Sequence, residues 1–128
     1  MRIFHLAIFA LAVATFGCQS HLNFSKTIDL TPGEDYRFTV DPPKKDQTVV
    51  LSFNSSASPV SACIGLKTDE RAIADSLVQG KPHAKELGRV ENAQQGTLEA
   101  KIPAGQESVV FLWGATKNTS VKLHIKGK

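Results

Sequence analysis

The chain has 128 residues, with 15 Lys and Arg against 12 Asp and Glu and a formal net charge of +3. That length suits one domain around a single core. So even a charge balance lacks the clustered basic footprint of a nucleic-acid binder, and no nucleic-acid partner is expected.

Arg2 precedes an apolar run from Ile3 to Phe16, interrupted only by His5 and Thr15. The run is shorter than the ~20 residues of a membrane-spanning helix and has the size and flanks of a secretory signal peptide. Residues 1–17 therefore read as a leader, 18–24 as a short tether and 25–128 as one domain. No later stretch is apolar and long enough to span a bilayer.

The leader ends in Ala14-Thr15-Phe16-Gly17-Cys18, a small residue followed at once by a cysteine. This junction resembles the lipobox of bacterial lipoproteins, with Thr15 where that family usually has Leu. The resemblance implies cleavage between Gly17 and Cys18 and acylation of the Cys18 thiol. It also implies an envelope location, either at the outer membrane or on the outer face of the cytoplasmic membrane. Gln19 after the cysteine points to the outer membrane by the enterobacterial sorting rule. An ordinary signal peptide cut at the same bond would instead leave a free Cys18 on a secreted or periplasmic protein. Only two cysteines are present, so an acylated Cys18 leaves Cys63 without a disulfide partner. Stability then rests on apolar burial.

From Lys26 the dominant period is two. Ile28 and Leu30 alternate with polar neighbours, and Thr31-Pro32-Gly33 reads as a turn. Tyr36, Phe38 and Val40 form a second alternating run, Val49, Leu51 and Phe53 a third, and Val60, Ala62, Ile64 and Leu66 a fourth. Thr68 to Gly80 breaks the pattern. Thr68 or Asp69 can cap a helix over 69–79, with Ile73 and Leu77 on one face, Gly80 after its last turn and Pro82 preventing continuation. Weak strand character returns over Glu86–Val90, then stronger runs over Gly96–Ile102, Ser108–Trp113 and Val121–Ile125. About eight short strands and one helix fit a mainly β, antiparallel two-layer β-sandwich.

The segment Val109-Val110-Phe111-Leu112-Trp113 does not alternate, so its strand must be covered on both faces. Val109, Phe111 and Trp113 are expected to face the sandwich core. The 69–79 helix is expected to cover Val110 and Leu112. The phrases Leu30–Val40, Ile102-Pro103-Ala104-Gly105 and Val121–Ile125 together resemble the pre-peptidase C-terminal type of bacterial β-sandwich. That resemblance implies a jelly-roll-like accessory domain and by itself no activity.

No catalytic, cofactor or metal motif stands out. His21, His83 and His124 have no ligand spacing and no cysteine beside them. Asp41, Asp46, Asp69, Glu70 and Asp75 lie near turns without the spacing of a calcium loop. A Ser–His–Asp group could assemble only from scattered residues such as Ser108, His83 and Asp75. Cys63 has no neighbouring base and reads as a small buried hydrophobe, and Trp113 as a core or rim anchor. Lys122, His124, Lys126 and Lys128 share the face opposite Val121, Leu123 and Ile125. Lysines there can block pairing at an exposed terminal strand. They can also form a basic stripe for anionic headgroups or an acidic envelope polymer. The sequence thus reads as a membrane-anchored, non-catalytic binding or accessory module, with a purely structural envelope role as the alternative and an envelope hydrolase ranked behind both. Its partners are the membrane and another envelope protein or anionic polymer.

Overall fold

The computed structural model describes residues 22–128; the leader, Gly17, Cys18 and His21 lie outside them. Eight strands form: β1 (Asn23–Leu30), β2 (Tyr36–Val40), β3 (Gln47–Ser55), β4 (Val60–Leu66), β5 (Gly88–Ala93), β6 (Gln95–Ile102), β7 (Ser108–Trp113) and β8 (Thr119–Gly127). A 3-10 turn (Lys67–Asp69) and one helix, α1 (Glu70–Val78), separate β4 from β5. The strands pair antiparallel in two sheets of order β1-β8-β3-β6 and β2-β7-β4-β5. This is the eight-stranded jelly roll, in which each sheet alternates strands from the two halves of the chain.

The period-two runs account for the core. Ile28 and Leu30, Val49, Leu51 and Phe53, Leu98, Ala100 and Ile102, and Val121, Leu123 and Ile125 line the inner face of the first sheet. Val40, Val60, Ala62, Ile64, Val110 and Leu112 line the facing sheet. β1 takes in Asn23 and Phe24 as well. Phe24 stands opposite Ile125 and meets Phe38 edge-on, with ring centroids 6.1 Å apart. At this open edge Lys26 faces inward, its ammonium 5.3 Å from the centroids of both Tyr36 and Phe38. An inward lysine on an edge strand discourages pairing with another chain, and the rings compensate its charge.

The expected facing of β7 is inverted. Val110 and Leu112 lie in the sandwich core, whereas Val109 and Phe111 lie on the outer face with Cys63 and Ile73. Register explains the inversion. Val110 stands between Phe38 and Ile64, and Leu112 between Tyr36 and Ala62, so the inward rows of three strands coincide. On the other face, Phe111 stands opposite Cys63 and Val109 opposite Gly65. Those small residues leave the depth into which Ile73 of α1 descends.

Asp69 occupies the N-cap position of α1 but makes no side-chain capping bond. The helix ends as expected. Gly80 has φ +72°, Lys81 N–H donates to Ser76 O at 3.0 Å and Gly80 N–H to Leu77 O at 3.0 Å. This is a Schellman closure, which a glycine in the left-handed region permits without strain.

All strands run between two poles. Leu22, the 41–46 and 103–107 loops and the end of β8 share one pole, where Gly127 N–H donates to Leu22 O and Gly105 N–H to Pro43 O. The 31–35 turn, the 56–59 loop and the 114–118 loop share the other.

Candidate functional site

The two sheets differ in what covers them. The outer face of β4 and β7 carries α1, whereas among the described residues no helix lies on the outer face of β1-β8-β3-β6. Its side chains form cross-strand rows. Ser25, His124, Ser52 and Thr97 make one; Thr27, Lys122, Asn54 and Gln95 make the next; Asn23, Lys126, Val50 and Glu99 make a third. The first two rows place short hydroxyl and amide groups beside the longer Lys122 and His124. A shallow trough of about 430 Å³ results, lined by Ser25, Thr27, Ser52, Asn54, Lys122 and His124 among others.

β8 is not an edge strand. It lies between β1 and β3, bonded to both. Its lysines therefore cannot serve to guard an unpaired edge, which removes the expected purely structural reason for the stripe. The structure brings Lys122, His124 and Lys126 onto one face, with Lys101 of β6 on the same side. Lys128 follows at the strand end and approaches Glu99 at 3.4 Å. Asp29, the other acid of this face, accepts a 2.7 Å hydrogen bond from Ser120 Oγ. Among the described residues neither Lys122 nor Lys126 makes an ion pair. His124 Nε2 lies 2.7 Å from Asn23 Oδ1.

The other singled-out residues do not converge. Ser108 is buried at the start of β7 and its Oγ has no hydrogen-bond partner among the described residues. His83 sits in the 79–87 loop, where its N–H donates to Glu86 Oε2 at 2.9 Å and its Nδ1 accepts from Lys85 N–H at 3.0 Å. Asp75 is exposed on α1. The Ser108, His83 and Asp75 side chains are not hydrogen-bonded to one another. Asp46 Oδ1 accepts from Ala104 N–H, and Glu70 pairs with Lys67 and Arg37. Among the described residues no three His, Cys, Asp or Glu side chains gather as a metal-ligand set. Cys63 is fully buried, and burial, reinforced by the charge of Glu86 and opposed by that of Arg89, pushes its thiol from 9.0 up to about 12. Trp113 is half-buried, with the Arg89 guanidinium 4.9 Å from its ring centroid. Arg89 is held in turn by Glu86 at 2.8 Å and Glu91 at 2.9 Å.

No protein-family model and no curated protein matches the chain. Solved structures do. PliG of Aeromonas hydrophila, a periplasmic inhibitor of g-type lysozyme, superposes with TM-score 0.57 at 12% identity over 87% of this chain and 90% of its own. The Yersinia pseudotuberculosis-derived mitogen gives 0.57 at 6% identity over 81% and 84%. The pre-peptidase C-terminal domain of a Bacillus anthracis collagenase gives 0.54 at 11% identity over 81% and 89%. The last agrees in fold with the resemblance carried by Leu30–Val40 and Val121–Ile125. At these identities the β-sandwich is what the proteins share.

Proposed function

We propose that this chain is a non-catalytic binding module of the bacterial cell envelope, anchored through an acylated Cys18 after removal of residues 1–17. Its bare sheet face binds an anionic, hydroxyl-rich envelope polymer. One observation carries the choice of face: Lys122 and Lys126 make no ion pair among the described residues and stand on an interior strand, beside a trough of hydroxyl and amide groups. Lysines supply charge attraction, and Ser25, Thr27, Ser52 and Asn54 supply the donors and acceptors that a polyol chain needs. The same fold in a periplasmic inhibitor is in keeping with a binding role in the envelope.

The anchor is tested by mass spectrometry of the native amino terminus. A thioether-linked diacylglycerol on Cys18 supports it; an unmodified Cys18 or Gln19 start makes the protein secreted. The face is tested by co-sedimentation with an insoluble phosphate- or carboxylate-bearing polysaccharide. Binding should weaken with salt and with Lys122→Gln/Lys126→Gln, and neutral dextran should not bind. Equal retention on charged and neutral polymers overturns the reading of the face.

A further inference from the structure

A second concavity, of about 320 Å³, lies at the pole opposite Leu22. The 31–35 turn, the last turn of α1 and the end of β7 build it, with Leu77, Val78 and Trp113 as apolar lining and Glu34 and Asp35 alongside. We propose that this groove docks a basic segment of a partner protein, an arginine or lysine flanked by apolar side chains. Two features independent of the bare sheet face carry this.

The first is the unexplained apolar surface. Ile73 and Leu77 account for how α1 packs, yet Val78, next in sequence, is 88% exposed. It contributes nothing to the core, and with Leu77 and Trp113 it presents a continuous apolar lining. The second is charge. Among the described residues no cation lines the groove. Glu34 uses Oε1 to accept from Thr31 N–H at 3.2 Å, leaving Oε2 without a hydrogen bond, and Asp35 has no hydrogen-bonding partner among the described residues. The helix end beside them has no basic residue in its last turn, so its partial negative charge adds to theirs. The Arg89 guanidinium, which lies against Trp113, is already paired with both Glu86 and Glu91. A metal ion suits such a lining poorly, since it supplies two carboxylates beside aliphatic and indole carbon. A long cationic side chain fits both halves, because its aliphatic stem can cover Val78 and Leu77 while its head reaches the carboxylates.

Trp113 is the only tryptophan of the chain, so its fluorescence reports on the groove directly. The full chain in mild detergent is titrated with a short peptide alternating arginine and leucine. Control peptides replace every arginine with glutamate or every leucine with serine. The arginine–leucine peptide should shift Trp113 emission saturably. The glutamate–leucine peptide should give no shift, and the arginine–serine peptide should bind at least about tenfold more weakly, a loss of about 1.4 kcal/mol. Glu34→Gln/Asp35→Asn and Val78→Ser, all at surface positions, should each weaken the arginine–leucine peptide by a similar factor. Lys122→Gln/Lys126→Gln should leave it unchanged, which separates this groove from the bare face. Absence of saturation, equal binding of the glutamate–leucine peptide, or indifference to the groove substitutions overturns the proposal.

Discussion

Ile73 occupies the space that a side chain at Gly65 would take: a methyl group built on Gly65 would overlap Ile73 Cδ1. Ile73 is fully buried and seals Cys63, Val109 and Phe111 against the outer sheet face. Gly65→Ala should therefore destabilise the fold by about 1–3 kcal/mol, the cost of overpacking a filled site. Shortening the opposing side chain with Ile73→Val should recover part of that loss, although Ile73→Val alone costs about 0.5–1.5 kcal/mol. Urea unfolding of the two single variants and the double variant measures the coupling, and strict additivity would mean that the contact is not the cause.

Cys63 lies under the same helix. Its thiol is pushed up to about 12, first by burial, with the Glu86 charge adding and the Arg89 charge opposing. The native protein should resist iodoacetamide at pH 8 and react once unfolded. Above its ordinary value of 9.0 the unfolded chain releases a proton that the folded chain keeps. Stability therefore falls as the pH rises from there towards 12. Cys63→Ala removes this dependence at the cost of a small cavity, about 1 kcal/mol. The stability gap between the variant and the parent should narrow as the pH rises, and a gap constant from pH 8 to 11 would contradict the burial of the thiol.

These two residues mark where sequence was and was not sufficient. Tyr36, Phe38 and Val40, or Val121, Leu123 and Ile125, alternate so cleanly that only one face can be buried, and their inward faces follow from period alone. β7 is apolar at every position from Val109 to Trp113, so period cannot choose its facing. The choice comes from partners in β2 and β4, more than forty residues away in sequence. Gly65 inside an otherwise apolar run was the one local sign of close approach on that outer face. The meaning of the lysine stripe was hidden for a similar reason. The final strand looks like an edge until a jelly-roll crossing inserts it between the first and third. The groove of Trp113, Leu77 and Glu34 joins three segments that share no pattern.

Glu70 ties the start of α1 to β2. Its carboxylate meets Lys67 Nζ at 2.8 Å and Arg37 Nη1 at 3.2 Å. The Lys67 hydrogen bond, opposed by partial desolvation and aided by the charges of Lys67 and Arg37, holds it below the usual carboxylate range. A depressed carboxylate stabilises the fold fully above the unfolded-state value and loses that contribution as the pH falls through the folded one. The pairs are solvent-facing, so Glu70→Gln should cost no more than about 1 kcal/mol at pH 7. Thermal unfolding across pH 2–7 should show the parent and variant converging at the acid end.

Ser108 carries the opposite kind of defect. It is 1% exposed, opposite Val40 and Leu66, and its hydroxyl has no partner among the described residues. An unsatisfied buried hydroxyl costs about 1–3 kcal/mol. Ser108→Ala should thus be neutral or stabilising in chemical denaturation, unusual for a substitution at a fully buried site. A loss of more than about 1 kcal/mol would show that the hydroxyl has a partner, such as an internal water.

Thr119 is the reverse case, a small hydroxyl on which a whole corner depends. Its Oγ1 lies 2.6 Å from Ser55 Oγ and accepts from the N–H groups of Ala57 at 2.9 Å and Ser58 at 3.2 Å. The far-pole 56–59 loop is thereby fastened to the first residue of β8. Thr119→Val keeps the shape but leaves two buried or half-buried N–H groups and a hydroxyl without their partner. The expected cost is about 2–4 kcal/mol, more than the net worth of any single hydrogen bond, because desolvated donors are stranded. Thr119→Ser keeps the oxygen and should retain most of the stability despite losing a methyl. Amide hydrogen exchange at Ala57 and Ser58 gives the local readout: fast in the valine variant and protected in the serine one. Equal protection in both would place the fastening in backbone pairing such as Ser56 N–H to Ser120 O at 2.9 Å.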